Sequence, residues 1–278
     1  MPDLAGVLGH PVGHSRSPAM MAAAFRALGL PWRYLKLPVP PHLFAETVGA
    51  LPASGFRGAN VTIPHKAAAL AVADRATPAA AAIGAANTLT FEGGGIEADN
   101  TDAPGFLDAL GESPRGLRAL VLGAGGAGRA VAWALREEGA EVAVWNRTPQ
   151  RAAELARELG VAQAGGPEEV DLLVNATSVG LEPGLTHEAA LRTLGLAGSD
   201  PPRVVVDLVY GQAETPVRAW ASAAGGRVVD GIEVLVRQGA RSLARWTGRE
   251  APLEVMRKAA RGGVDSGLGS SPHTPPAR

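Results

Sequence analysis

Three glycines, Gly123, Gly125 and Gly128, carry the spacing G-x-G-x-x-G between an apolar run (residues 118–122, RALVL) and an alanine-rich stretch. Alone the pattern is weak. After a strand and at the start of an amphipathic helix, it has the context of a dinucleotide site. The first glycine allows the tight turn, the second lets a pyrophosphate approach the backbone, and the third lets helix and strand pack closely. Free N–H groups at the helix start favour the anion. The candidate contacts are Gly123, Ala124, Gly125, Gly126 and Ala127. After the next apolar strand come Asn146, Arg147 and Thr148, with Arg151 one turn on and no acid. An NAD site usually puts Asp or Glu there for the ribose 2′-hydroxyl. Two guanidiniums suit a 2′-phosphate, so the pattern predicts NADP. The alternative is two solvated charges at a helix start, where the helix dipole disfavours arginine without an anion.

The N-terminal half holds four polar clusters at predicted strand ends: residues 14–17 (HSRS), 60–66 (NVTIPHK), 85–88 (AANT) and 100–102 (NTD). Ligands of open α/β sheets bind at strand ends. These residue types suit a small substrate with hydroxyls and a carboxylate. Reducing a ketone needs a hydride and a proton, and a positioned lysine such as Lys66 can supply the proton. A nearby aspartate, Asp102, would orient it. Each residue also has a bland reading. Ser15 and Ser17 read as turn and cap residues before Pro18. Asn60, Asn87 and Asn100 read as asparagines that satisfy loop backbones. Asp102 could cap the next helix. His14 and His65 lack a metal-ligand spacing and read as loop histidines, so no metal site is expected.

These residues need elements to hold them. The first hundred residues alternate strand and helix, which implies a mostly parallel α/β sheet. The glycines at 93–95 read as the turn of a hairpin. From residue 118 a second series of strands and helices predicts a doubly wound, Rossmann-type sheet with a cleft between the two parts. The expected division is 1–101 for substrate and catalysis, 102–236 for NADP, and helices from about 237 to 261 packing back on the first part. Residues 262–278, rich in Gly, Ser and Pro, are expected to be mobile.

Composition narrows the function classes. The chain has 278 residues, 46% apolar, with a formal net charge of −1. No global field draws it to nucleic acid or an anionic membrane. Aromatics, at 4%, are too few for base-stacking platforms. There is no cysteine, which excludes disulfides and thiolate metal sites. No signal peptide and no long apolar span is read, so a cytoplasmic protein is expected. The oligomeric state is left open between monomer and homodimer.

The ordered runs GHPVGHSRSPAM, GANVTIPHK, GAANTL, NTDAPGF, GAGGAGRA, NRT, NATSVG and DGIEVLVRQGA resemble the shikimate dehydrogenase family. The likeness covers most of the chain, from about residue 4 to about residue 260. It implies NADP-linked interconversion of 3-dehydroshikimate and shikimate. By that resemblance Lys66 is the catalytic lysine and Asp102 its partner. Ser15 and Ser17 match the carboxylate-binding serines, and Thr62, Asn87 and Gln238 match binders of ring hydroxyls or carboxylate. Tyr210 matches a substrate-side tyrosine, and Leu208 and Gly231 line the nicotinamide with their backbones. The chain departs from the pattern at Met21-Ala22, at Glu233-Val234 beside the nicotinamide, and at Pro78. Two alternatives stand beside this reading: a quinate/shikimate dehydrogenase with relaxed cofactor use, and a paralogue that binds with weak turnover.

Overall fold

The computed structural model describes residues 2–262, apart from 167–168, 182–183 and 212–213. Of the segment expected to be mobile, residues 263–278 lie outside the described residues. The first half runs β1 (Asp3–Gly9), α1 (Ser17–Ala27), β2 (Trp32–Pro38), α2 (Phe44–Ala50), β3 (Phe56–Val61), α3 (Lys66–Ala71), β4 (Arg75–Ala76), α4 (Pro78–Ile83), β5 (Thr88–Glu92) and β6 (Gly95–Asp99). Then come α5 (Asp102–Leu110), β7 (Arg118–Leu122), α6 (Gly126–Glu137), β8 (Glu141–Trp145), α7 (Pro149–Leu159), β9 (Ala162–Gln163), β10 (Leu172–Asn175), α8 (His187–Thr193), β11 (Val204–Asp207), α9 (Pro216–Ala223), β12 (Arg227–Asp230), α10 (Gly231–Thr247) and α11 (Leu253–Arg261).

The strands form two six-stranded sheets. The first has the order β2-β1-β3-β5-β6-β4. Strand β1 pairs in parallel with β2 and β3, and β4 with β6. The sheet turns antiparallel at β3–β5 and β5–β6. The β5–β6 hairpin closes on Gly93 and Gly94, both at positive φ, as a tight two-residue turn requires. The second sheet, β12-β11-β10-β7-β8-β9, is parallel throughout. Its strand order reverses beside β7, the doubly wound arrangement expected from the sequence. Strands β10 and β11 are buried at every residue, because helices cover both faces of such a sheet.

Helix α10 joins the two halves. It follows the last strand of the second sheet, yet packs mainly on α5 and also on α1 and β3. Val236, Ala240 and Leu243 share a core with Met20, Met21 and Phe25 of α1 and with Met256 and Ala260 of α11. Full burial of each large apolar side chain contributes roughly 1.5–3 kcal/mol. Met21, one of the departures, is therefore core. The contact of α5 with α10 is backbone to backbone: a Cβ at Gly105 would lie 2.6 Å from the Gln238 amide nitrogen. Helix α11 is tied down by charge. Glu233 accepts from Arg257 Nε at 2.7 Å and from Arg237 Nε at 2.8 Å, and Arg261 reaches Asp230 at 2.9 Å.

Two outcomes follow from this packing. Gly105→Ala forces α10 away from α5 and is expected to cost about 1–3 kcal/mol, read as a lower urea midpoint. An unchanged midpoint would mean that the helices have room to spare. The second outcome concerns acid. Hydrogen bonds from Arg257, then Arg237, hold the Glu233 carboxyl down at about 2 from its ordinary 4.5. Its contribution is therefore complete above about pH 4.5 and is lost as pH falls toward 2. Glu233→Gln should flatten that part of the melting temperature–pH curve; identical acid limbs for both proteins would refute the link.

Candidate active site

Strand β3 ends at Val61, although the Thr62 amide still donates to the Leu8 carbonyl at 2.8 Å. A short loop then leads to α3, which begins at Lys66. His65 is buried, bonded through Nε2 to the Val39 carbonyl at 2.8 Å and stacked on Phe44. That leaves it a packing role and turns the next side chain inward. Lys66 Nζ donates to Asp102 Oδ2 at 2.5 Å, with the two side chains 13% and 17% exposed. Asp102 opens α5, and it does not cap it. Asn100 does: its Oδ1 accepts from the Asp102 and Ala103 amides at 3.1 and 3.2 Å. Asn87 Nδ2 donates to the other carboxylate oxygen of Asp102 at 2.8 Å and to Gln238 Oε1 at 3.1 Å.

All eight candidate substrate residues line one cavity of about 170 Å³: Ser15, Ser17, Thr62, Lys66, Asn87, Asp102, Tyr210 and Gln238. Leu208, Gly231 and Ala127 line it too. The Ser17 amide donates to Ser15 Oγ at 3.3 Å, so Ser15 serves the start of α1. Burial raises the Tyr210 phenol, offset in part by its hydrogen bond to Ser15 and the charge of Arg16. Tyr210 therefore stays neutral and can donate to an anion. His14 lines the same cavity, and burial and Lys36 lower its proton affinity.

A second cavity, about 620 Å³, adjoins the first. Gly123, Ala124, Gly125, Gly126, Asn146, Arg147, Thr148 and Arg151 line it. The glycine geometry fits the sequence argument. A Cβ at Gly128 would lie 1.9 Å from the Gly123 carbonyl oxygen, while one at Gly125 would meet nothing within 4 Å. The turn is tight below and open above, as an approaching pyrophosphate needs. Asn146 Oδ1 accepts the Ala124 amide at 3.2 Å and so ties this turn to the end of β8. Among the described residues, Arg147 and Arg151 make no ion pair and face the cavity with charge to offer.

Lys66, Ile63, Ala176 and Thr177 line both cavities, which fixes the junction. A Cβ at Gly126 would come within 2.8 Å of Lys66 Cβ, so the lysine stem lies on the first residue of α6. Sequence reasoning assigns no role to Ile63, Ala176, Thr177 or Arg129. Ile63 is 56% exposed and lines both cavities. Thr177 lies within the NATSVG run, where a functional signal is visible without an assignment. At the Glu233-Val234 departure, Val234 lines the substrate cavity while Glu233 is held by Arg237 and Arg257. Pro78 is the first residue of α4, capped by Thr77. Among the described residues, no cluster of His, Cys, Asp and Glu could hold a metal, and no helix is long and apolar enough to cross a membrane.

Comparison with known proteins gives this arrangement a family. Models of the shikimate dehydrogenase substrate binding domain, of shikimate / quinate 5-dehydrogenase and of the shikimate 5′-dehydrogenase C-terminal domain match residues 7–89, 109–207 and 231–261. The chain is 46% identical over 272 residues to the shikimate dehydrogenase (NADP(+)) of Anaeromyxobacter sp. (strain K), covering 92% of this chain and 95% of that one. It is 45% identical to the enzyme of that name from Methanopyrus kandleri, covering 92% and 94%. The shikimate 5-dehydrogenase of Thermus thermophilus, solved in complex with NADP(H) and shikimate, superposes with a TM-score of 0.82 at 45% identity, covering 93% of this chain and 98% of that one. With a lysine–aspartate pair where two cavities meet, and relatives this similar along nearly its whole length, the chain belongs to the shikimate dehydrogenase family.

Proposed function

We propose that the protein is an NADP-dependent shikimate dehydrogenase, which reversibly reduces 3-dehydroshikimate to shikimate on the route to aromatic amino acids. The observation that carries this reading is the Lys66–Asp102 contact at the junction of the two cavities. Residues 1–101, with the helices from about 237 to 261, bind substrate; residues 102–236 bind NADP. Ser15 and Ser17 take the substrate carboxylate, and Tyr210 adds a neutral donor on the substrate side. Thr62, Asn87 and Gln238 take the ring hydroxyls or share in holding the carboxylate. The glycine turn cradles the pyrophosphate, Asn146 and Thr148 border the adenosine, and Arg147 and Arg151 grip its 2′-phosphate. The backbones of Leu208 and Gly231 border the nicotinamide.

When bound, NADPH supplies the hydride. Lys66 Nζ donates a proton to the oxygen of the ketone being reduced and accepts it back in the reverse direction. Asp102 orients the ammonium through Oδ2, and Asn87 keeps that carboxylate in place through Oδ1. Ile63, exposed between the cavities, shields the reacting centre from water when the cleft closes. We assign the enzyme to the cytoplasm, as one that draws on a soluble nucleotide pool. A homodimer is the alternative to a monomer, and sedimentation of the purified protein decides between them.

The purified protein, given shikimate or quinate with NADP or NAD and followed by absorbance, is expected to turn over shikimate with NADP. No turnover with either cofactor would sink the enzyme reading. Lys66→Ala is expected to lower kcat by about 10²–10⁴-fold, the usual worth of a positioned proton donor. An unchanged rate would remove the lysine from the chemistry. Arg147→Ala removes one charge-assisted grip worth roughly 1.5–3 kcal/mol, so the KM for NADP should rise tenfold or more while that for NAD stays put. Equal changes for both cofactors would refute the 2′-phosphate assignment.

A further inference from the structure

Three buried hydroxyls meet at one point behind the site. Thr88 Oγ1 and Ser242 Oγ are 2.9 Å apart, Thr88 and Thr101 3.1 Å, and Thr101 and Ser242 3.2 Å. Thr88 and Ser242 have no solvent exposure and Thr101 has 4%. Each comes from a different element, and each adjoins a residue of the site. Thr88 follows Asn87 at the start of β5. Thr101 precedes Asp102 at the start of α5. Ser242 lies one turn beyond Gln238 on α10 and accepts from Asn60 Nδ2 of β3 at 2.8 Å.

Asn87 is bonded both to this cluster and to the site. Asn87 Oδ1 accepts the Thr101 backbone N–H at 2.7 Å, with the hydroxyls of Thr88 and Thr101 at 3.1 and 3.2 Å. A backbone N–H is a donor only, so the amide cannot turn its NH₂ that way. Its Nδ2 must face Asp102 Oδ1 at 2.8 Å, Thr101 Oγ1 at 3.0 Å and Gln238 Oε1 at 3.1 Å, three acceptors that share two hydrogens. Buried polar groups cost free energy unless bonded, and apolar residues would fill the same space. A fully bonded polar cluster instead fixes one geometry.

We propose that the hydroxyl triangle of Thr88, Thr101 and Ser242 is a positioning device for the reaction, which holds Asn87, Asp102 and Gln238 in mutual register across three elements. The proposal rests on the dehydrogenase reading above. Ser242 and Thr88 act through Asn87, and neither needs to touch substrate.

The test is steady-state kinetics of Ser242→Ala and Thr88→Val with shikimate and NADP, beside thermal melting. Each variant is expected to lose about tenfold in kcat, because small misplacements of reacting groups are costly. The KM for NADP should not change. Leu243→Ala, buried on the same helix outside the triangle, should lower the melting temperature and leave kcat in place. Wild-type kcat in the folded variants would overturn the proposal, as would an equal loss of kcat in Leu243→Ala. Thr88→Val keeps the side-chain shape and carries the test if Ser242→Ala does not fold. An inactive wild type would overturn the dehydrogenase reading and this proposal together, an outcome distinct from an active wild type with indifferent variants.

Discussion

The contact between Lys66 and Asp102 constrains the rest of the molecule. An ammonium and a carboxylate that are both largely out of water each carry a desolvation cost of several kcal/mol, which their attraction offsets only with good geometry and satisfied remaining lone pairs. Lys66 also stands where the free N–H groups of α3 begin, a poor place for a cation. The carboxylate must therefore be held, and its second oxygen must be bonded. Asn87 supplies that bond at 2.8 Å, and Asn100 fixes the first turn of α5 on which Asp102 sits. The pair is the last link of a chain of bonded polar groups that starts at Tyr34, whose hydroxyl donates to Asn60 Oδ1 at 2.7 Å.

That chain explains why α10 has to leave the sheet it follows. Gln238 and Ser242 complete the polar cluster from the other side, and Gly105 lets the α10 backbone come close enough for them to do so. The apolar stripe of α10 holds it there, by packing against α1 and α11. Helix α11 in turn is clamped through Glu233, so the last described helix bears on the site through α10. Helix α10 thus closes the substrate side of a cleft whose other wall is built from β7 to β12.

Local patterns were legible in the sequence, and distant partners were not. Gly123, Gly125 and Gly128 after an apolar strand announced the turn, and the hairpin at Gly93 and Gly94 read directly from its glycines. Arg147 and Arg151, with no acid beside them, pointed to a 2′-phosphate, and both line the second cavity. The polar clusters signalled a site, but their residue types alone left Asn87 and Asn100 alike. Only the fold separates them, one bonded to Asp102 Oδ1 and the other to helix amides. Resemblance supplied the roles of Tyr210 and Gln238, which no spacing could give. Glu233 looked like a cofactor-side substitution because its partner Arg257 lies 24 residues away. The triangle joins Thr88 to Ser242 across 154 residues, beyond the reach of any periodicity. Strands β4 and β9, two residues each, are too short to leave a pattern.

The junction of the two cavities follows from one missing atom. With any side chain at 126, the Lys66 stem would have to move, because its Cβ and Cδ would lie 2.8 and 2.9 Å from the new Cβ. The glycine run thus does more than admit a pyrophosphate. It lets the first turn of α6 touch the residue that begins α3, so that a group seated on the glycine turn would lie beside Lys66, the proton donor in the proposed reaction. Separation of hydride source and proton source by even one side chain's width would cost the alignment that makes their transfer effectively unimolecular. Binding chemistry and proton chemistry therefore share one physical requirement, a backbone that two helices can approach at once.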